Sequence, residues 1–215
     1  MSPSGGMSPA PFITFEGIEG SGKTTQVRRL SEYLKERGIP HRVTREPGGT
    51  PLADEIRSLL LSPREEPVFP ETELLLYEAA RSQHVRGVIL PALISGQAVL
   101  CDRFYDATTA YQGFSRGIEG PRVEWLNAFA SGGLSPDLTF LLDVSPEDGA
   151  ARIRGRGTRP DRIESESFEF HRKVREGYLR LQASDPDRIR LIDGSLLSDD
   201  VFRRIRETVS ARFGW

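Results

Sequence analysis

Gly17-Ile18-Glu19-Gly20-Ser21-Gly22-Lys23-Thr24 follows the apolar, β-prone run Phe12-Ile13-Thr14-Phe15 and opens a helix-like stretch from Lys23 to Arg37. The spacing is G-x-x-x-x-G-K-[ST], and its setting between a strand and a helix start matters more than the pattern itself. Such a turn arrays successive backbone N–H groups around a polyphosphate, and the helix N-terminus adds its positive end. Gly17 and Gly22 open backbone conformations that a Cβ would forbid. Lys23 is placed to reach terminal phosphates, and the Thr24 hydroxyl to ligate Mg²⁺. Lys23, Lys35 and Lys173 are the only lysines in an otherwise arginine-based chain. A lysine kept here supplies a compact point charge rather than a planar fork.

Working outward, strands and helices alternate. The strand expectations are Phe12–Glu16, His41–Thr44, Ala98–Asp102, Leu138–Asp143 and Ile189–Ile192. The helix expectations are Lys23–Arg37, Pro51–Leu60, Glu71–Ser95 with a bend near Pro91, Asp106–Gln112, Pro121–Ala130, Pro146–Arg154, Glu166–Ala183 and Asp199–Phe213. Apolar strands alternating with helices predict an α/β fold with a parallel sheet covered on both faces. The 215 residues form a single domain, 12–215, behind a Ser/Pro/Gly-rich extension, 1–11, read as disordered rather than as a signal peptide.

Composition narrows the function. A net charge of −2 gives no global basic field, which argues against a nucleic-acid partner. Cys101 is the sole cysteine, so an internal disulfide and a cysteine zinc site are excluded, and a buried inert thiol is expected. No apolar stretch reaches the length of a membrane span. Together these features lead to the expectation of a cytoplasmic protein without a membrane partner.

Sites in parallel sheets lie beyond the carboxyl ends of the strands. After the second strand comes Arg45-Glu46-Pro47-Gly48-Gly49-Thr50, and after the third Asp102-Arg103. Asp102 sits where a phosphate-loop enzyme keeps the acid that holds Mg²⁺, directly or through water. Arg103 follows as a grip for an acceptor phosphate. Tyr77 and Arg81, four apart, share a helix face and suit a base and its phosphate. Arg152, Arg154, Arg156, Arg159 and Arg162 crowd around Gly155, Gly157 and Pro160. The run is short, glycine-broken and without aromatics, so it reads as a lid over polyphosphate, about 152–164, rather than as a nucleic-acid patch.

The segments Phe15–Thr25, Thr44–Thr50, Asp102-Arg103-Phe104, Ala110-Tyr111-Gln112-Gly113 and Asp161-Arg162-Ile163-Glu164, in this order and spacing, resemble the bacterial thymidylate kinases. The resemblance implies phosphoryl transfer from ATP to dTMP with Mg²⁺, a five-stranded parallel sheet of the nucleoside monophosphate kinase type with an arginine-rich lid, and a homodimer. It assigns Gly17, Ile18, Glu19, Gly20, Ser21, Gly22, Lys23, Thr24, Thr25 and Arg152 to ATP, with Thr24 and Asp102 at the metal. It assigns Glu19, Arg45, Tyr77, Arg81, Arg103, Thr108, Tyr111 and Gln112 to dTMP. Tyr77 stands where the family commonly has Phe, which keeps stacking and adds a hydroxyl. Tyr111 is expected to crowd the sugar 2′ position. Gly20 occupies a loop position that carries a catalytic arginine in part of the family. That charge then falls to the lid, with Arg156 and Arg159 favoured, so that Lys23, Arg103, Arg156 and Arg159 form the catalytic set.

The chemistry points the same way. A monophosphate acceptor already bears an anionic oxygen and needs cations to align it, whereas a nucleoside hydroxyl benefits from a carboxylate base. Glu46 could be such a base, which keeps a deoxynucleoside kinase as the alternative, together with another monophosphate kinase. Three arginines converging on one site are surplus for an uncharged acceptor. A regulatory GTPase would carry N-K-x-D, but the single asparagine, Asn127, is followed by Ala128.

Overall fold

The computed structural model describes residues 10–215 apart from Arg156 and Thr158. The expected N-terminal extension, as far as Pro9, lies outside the described residues. Five parallel strands form one sheet: β1 (Phe12–Glu16), β2 (His41–Arg45), β3 (Ala98–Asp102), β4 (Leu138–Asp143) and β5 (Ile189–Asp193), in the order β2-β3-β1-β4-β5. The strand β1 is buried at every position, whereas β2 and β5, at the two edges, each expose three of their five residues. That contrast explains why the central strands read as continuous apolar runs.

Helices cover both faces. On one face α1 (Lys23–Glu36) and α9 (Ser198–Phe213) enclose Phe15, Leu30, Leu34, Phe140, Ile205 and Val209. On the other face α3 (Pro70–His84) and its continuation bury Phe12, Val85, Ile89, Val99 and Phe104, while α8 (Phe168–Ser184) packs Val174 and Tyr178 against Leu141 and Ile18. The remaining helices are α2 (Pro51–Leu61), α4 (Leu90–Ile94), α5 (Tyr105–Thr108), α6 (Gly120–Ser131) and α7 (Pro146–Gly155). Among the described residues no helix is long and apolar enough to cross a membrane.

Helix ends and widenings follow local chemistry. The expected helix Glu71–Ser95 is α3, a π-helical segment Val85–Ile89 and then α4, so the adjustment lies upstream of Pro91. A proline clashes with the carbonyl four residues back, and a widened turn relieves that clash without ending the helix. The expected helix from Glu166 starts at Phe168 because Ser167 caps it, its Oγ accepting from the Phe170 N–H at 3.1 Å. The helix expected over Asp106–Gln112 is α5 followed by a π-helical segment, Thr109–Ser115.

Candidate nucleotide and acceptor site

Strand register assembles the site. Phe15 pairs with Asp102, and Asp102 with Arg45, so the turns after β1, β2 and β3 leave the sheet along one edge. A cleft of about 640 Å³ opens there, lined by residues from the phosphate loop, α1, α2, α3 and the segments after β2 and β3. All eight residues assigned to the acceptor, Glu19, Arg45, Tyr77, Arg81, Arg103, Thr108, Tyr111 and Gln112, line it together with Lys23, Thr24 and Asp102.

The loop half is made of main chain. Lys23 is buried and donates to the carbonyls of Gly17 (2.9 Å) and Ile18 (2.8 Å) and to Ser21 Oγ (3.2 Å). Burial and the nearby Arg103 push its ammonium down to about 8, and an arriving phosphate would supply an opposing charge. Thr24 Oγ1 donates to Asp102 Oδ2 at 2.5 Å, which places two hard oxygens side by side at the cleft. Thr25 is exposed at the start of α1 and does not line the cleft.

Gly20 has φ +76, and a Cβ there would sit 2.3 Å from the Gly149 carbonyl oxygen on α7. In turn a Cβ at Gly149 would sit 2.5 Å from the Glu19 carbonyl oxygen. The loop and α7 therefore touch backbone to backbone, and a side chain at position 20 has no room in this packing. Arg152 reinforces the seat, donating to the carbonyls of Gly20 (3.4 Å) and Gly194 (2.8 Å).

The half expected to take the acceptor is made of side chains. Arg81 is 2% exposed and donates Nε to Glu46 (2.9 Å), Nη1 to Glu78 (2.7 Å) and Asn127 (2.9 Å), and Nη2 to Thr108 (2.8 Å). The other oxygen of Glu46 accepts from His84 Nδ1 at 3.0 Å. Both carboxylate oxygens of Glu46 are thus engaged, one by Arg81 and the other by His84, which weakens the reading of this residue as a base for a neutral hydroxyl. Arg45 is exposed and pairs with Asp54 at 2.8 Å. Tyr77 is half-buried at the cleft wall; burial, then Glu73, raises its hydroxyl above the ordinary tyrosine value.

Arg103 joins the two halves. Its backbone adopts φ +72, a left-handed conformation costing a non-glycine residue roughly 1–3 kcal/mol. The following N–H, from Phe104, is held by Glu16 Oε1 at 2.7 Å. The guanidinium donates to Glu19 Oε1 (2.8 Å), Tyr111 Oη (3.1 Å) and Tyr178 Oη (3.0 Å). Tyr111 Oη donates to the Glu19 carboxylate, 2.6 and 2.7 Å from its two oxygens, and His171 lies 3.3 Å away. Burial disfavours charge on Glu19, but Arg103, His171 and Lys23 outweigh it and hold the carboxyl well below its usual range. Glu16 behaves oppositely: burial and then Asp106 push it up to about 7.

Arg159 is exposed and does not line the cleft, and Arg156 lies outside the described residues. The segment after them is docked rather than free. Arg162 donates Nε to the Leu60 carbonyl (2.7 Å) and its backbone N–H to that of Leu61 (3.0 Å), and its side chain pairs with Glu73 (2.7 Å). Sequence reasoning did not find Arg57, Glu73, His171 or Tyr178. For Glu73 a signal existed, since it precedes Tyr77 and Arg81 at steps of four on one helix face. His171 and Tyr178 lie on α8, far along the chain, with no local pattern tying them to Glu19 or Arg103.

Comparison with known proteins fits this geometry. A family model described as thymidylate kinase matches residues 15–205. A thymidylate kinase of Syntrophotalea carbinolica is 50% identical over 204 residues, covering 93% of this chain and 94% of its own. One from Geobacter sulfurreducens is 53% identical over 189 residues, covering 86% of this chain and 89% of its own. Among solved structures, the thymidylate kinase of Ehrlichia chaffeensis superposes with a TM-score of 0.74 at 33% identity, covering 94% of this chain and 99% of that one. This chain belongs to the thymidylate kinase family.

Proposed function

We propose that this member of the thymidylate kinase family transfers the γ-phosphoryl group of ATP to dTMP, giving ADP and dTDP. One observation carries the reading. A single cleft holds a phosphate loop on one side and, on the other, Arg45, Arg57, Arg81 and Arg103 around a pocket with an aromatic wall. Four guanidiniums suit an anionic acceptor and are out of place around a neutral sugar hydroxyl.

In this reading an oxygen of the dTMP phosphate attacks the γ-phosphorus as the bond to the β,γ-bridging oxygen breaks. Both partners are anions, so catalysis is positioning and charge neutralisation. Arg103 keeps its Nε hydrogen and one Nη1 hydrogen unclaimed among the described residues and offers them to the acceptor phosphate. Lys23 leaves the loop carbonyls for the β- and γ-phosphates. Glu19 does not take a proton; it fixes Arg103 and Tyr111, and Tyr111 then crowds the 2′ position of the sugar. Arg152, beside the loop after β5, faces the adenine end, and Arg156 and Arg159 bring positive charge to the transferred group.

Thr24 and Asp102 fit a Mg²⁺ ion, since this hard cation takes few protein oxygens and completes its shell with phosphates and water. When bound, it would neutralise developing charge on the phosphoryl oxygens. We also assign the outer faces of α2, α3 and α6 to a second copy of the chain. These adjacent helices expose Leu52, Leu59, Leu75 and a stacked Trp125–Phe129 pair, 5.5 Å between ring centroids. Exposed apolar side chains on neighbouring helices suit a protein-contact surface, and sedimentation at micromolar concentration tests the assignment. Cytoplasmic residence follows from the same reading of a nucleotide-metabolising enzyme.

The test is ADP release, coupled to an optical readout, across dTMP, dUMP, dGMP, AMP, UMP and thymidine. Turnover is expected to be fastest with dTMP. Turnover of thymidine without dTMP would replace this reading with a deoxynucleoside kinase.

A further inference from the structure

Glu73 is fully buried, 0% exposed, one helical turn before Tyr77 and two before Arg81. The transfer chemistry has no direct use for it. Its Oε1 accepts from Gln112 Nε2 (2.8 Å) and Arg116 Nε (3.1 Å). Its Oε2 accepts from Arg116 Nη2 (3.1 Å) and pairs with Arg162 Nη2 (2.7 Å). Burial opposes its charge, but Arg116 and Gln112 overcome this and hold the carboxyl below its ordinary value. At neutral pH Glu73 is therefore an ionised, acceptor-only group.

An acceptor-only partner decides which way an amide points. Gln112 must turn its nitrogen to Glu73, so its carbonyl oxygen faces elsewhere. Gln112 lines the cleft, and its Oε1 takes no hydrogen bond from any described residue. We propose that Glu73 is a positioning residue for base recognition: by holding the Gln112 nitrogen it presents Oε1 to the cleft as an acceptor. That acceptor selects a pyrimidine ring carrying N3–H and rejects cytosine, whose N3 offers only a lone pair. The inference rests on the reading of this cleft as the dTMP site and adds the residue that sets its hydrogen-bond polarity.

Equilibrium binding to the wild-type chain comes first, with dTMP, 3-methyl-dTMP and dCMP. A site built around an acceptor should bind the last two more weakly by about 100-fold or more, because each leaves it unpaired. In Glu73→Gln the partner amide can present either end, which frees Gln112 to turn over. The ratio of kcat/KM for dTMP to that for dCMP is then expected to fall about tenfold, on the scale of one misplaced hydrogen bond. Arg116→Gln removes other donors from Glu73 but leaves the Gln112 contact, and should keep the ratio within about twofold. If Glu73→Gln is unfolded, Glu73→Asp draws the carboxylate back by one methylene and carries the same test. Equal loss of activity on both substrates would reduce Glu73 to a structural ion-pair hub and overturn the proposal. Equal wild-type binding of dTMP and dCMP would overturn the orientation of Gln112 alone. Absence of dTMP binding would remove the functional reading together with it.

Discussion

The half of the cleft proposed for the donor is built from main chain, and the half proposed for the acceptor from side chains gathered from distant segments. Around Lys23 the contacts are loop carbonyls and a helix start, all within a few residues of one another. Around Arg81 and Arg103 they come from residues 16, 19, 46, 78, 108, 111, 127 and 178. The first design depends on space, because atoms added to a backbone cradle have nowhere to go. The second depends on charge balance, because each buried guanidinium is matched to a carboxylate. One half should therefore fail on added volume and the other on lost charge.

The largest effect should come from Arg103→Ala. It removes the proposed grip on the acceptor and leaves the buried Glu19 carboxylate with Tyr111, His171 and Lys23 but without its guanidinium partner. Truncating one side of such a pair is costly because the other charge stays behind. Losing a donor aimed at developing charge lowers kcat by about 10²–10³. A drop in kcat/KM for dTMP on the order of 10³ is expected, with ATP binding, measured by calorimetry, retained. Unchanged kinetics would take Arg103 out of the site and dissolve the distinction between the halves.

Gly149→Ala probes the other side at intermediate size. Its Cβ would lie 2.5 Å from the Glu19 carbonyl oxygen, so α7 must move off the loop or the loop must deform. Overpacking of this kind costs about 1–3 kcal/mol, which for a chain of this size lowers Tm by several degrees. The KM for ATP should rise about tenfold, on the scale of the same energy, with the KM for dTMP nearly constant. A rise in the dTMP value instead would mean that the loop and the acceptor pocket respond as one unit.

The same contrast explains what was legible beforehand. The loop is a contiguous pattern flanked by a strand and a helix, and the five strands are apolar runs bounded by turn residues, so both could be read directly. Arg81 and Arg103 are legible as site residues, but what each of them pairs with is not, since a buried ion pair between residues 46 and 81 has no signature in local spacing. The positive φ of Arg103 was equally hidden: an arginine gives no hint of it, and the support comes from Glu16 holding the next N–H. The π-helical segment at Thr109–Ser115 falls partly within the helix expected over Asp106–Gln112, because a widened turn leaves no mark in local sequence that separates it from a regular one. Arg159 is a different case. The family resemblance and its place in the basic run favour it as catalytic; in the structure it is exposed and does not line the cleft, so its part in transfer belongs to the proposed function.

The smallest effect should come from Tyr77→Phe, and its smallness is informative. Tyr77 differs from the common phenylalanine by one hydroxyl, which makes no hydrogen bond among the described residues. A tyrosine hydroxyl carries no charge at neutral pH, and burial, then Glu73, move this one further from ionising. If its role is stacking, the ring alone supplies it, and the acceptor half loses neither charge nor a paired donor. The KM for dTMP should then change by less than about twofold, the scale of a substitution that removes no pairing. A rise of tenfold or more would mean that the hydroxyl binds the base directly. Recognition would then be shared between Tyr77 and the amide of Gln112, and the polarity of the pocket would no longer be set through Glu73 alone.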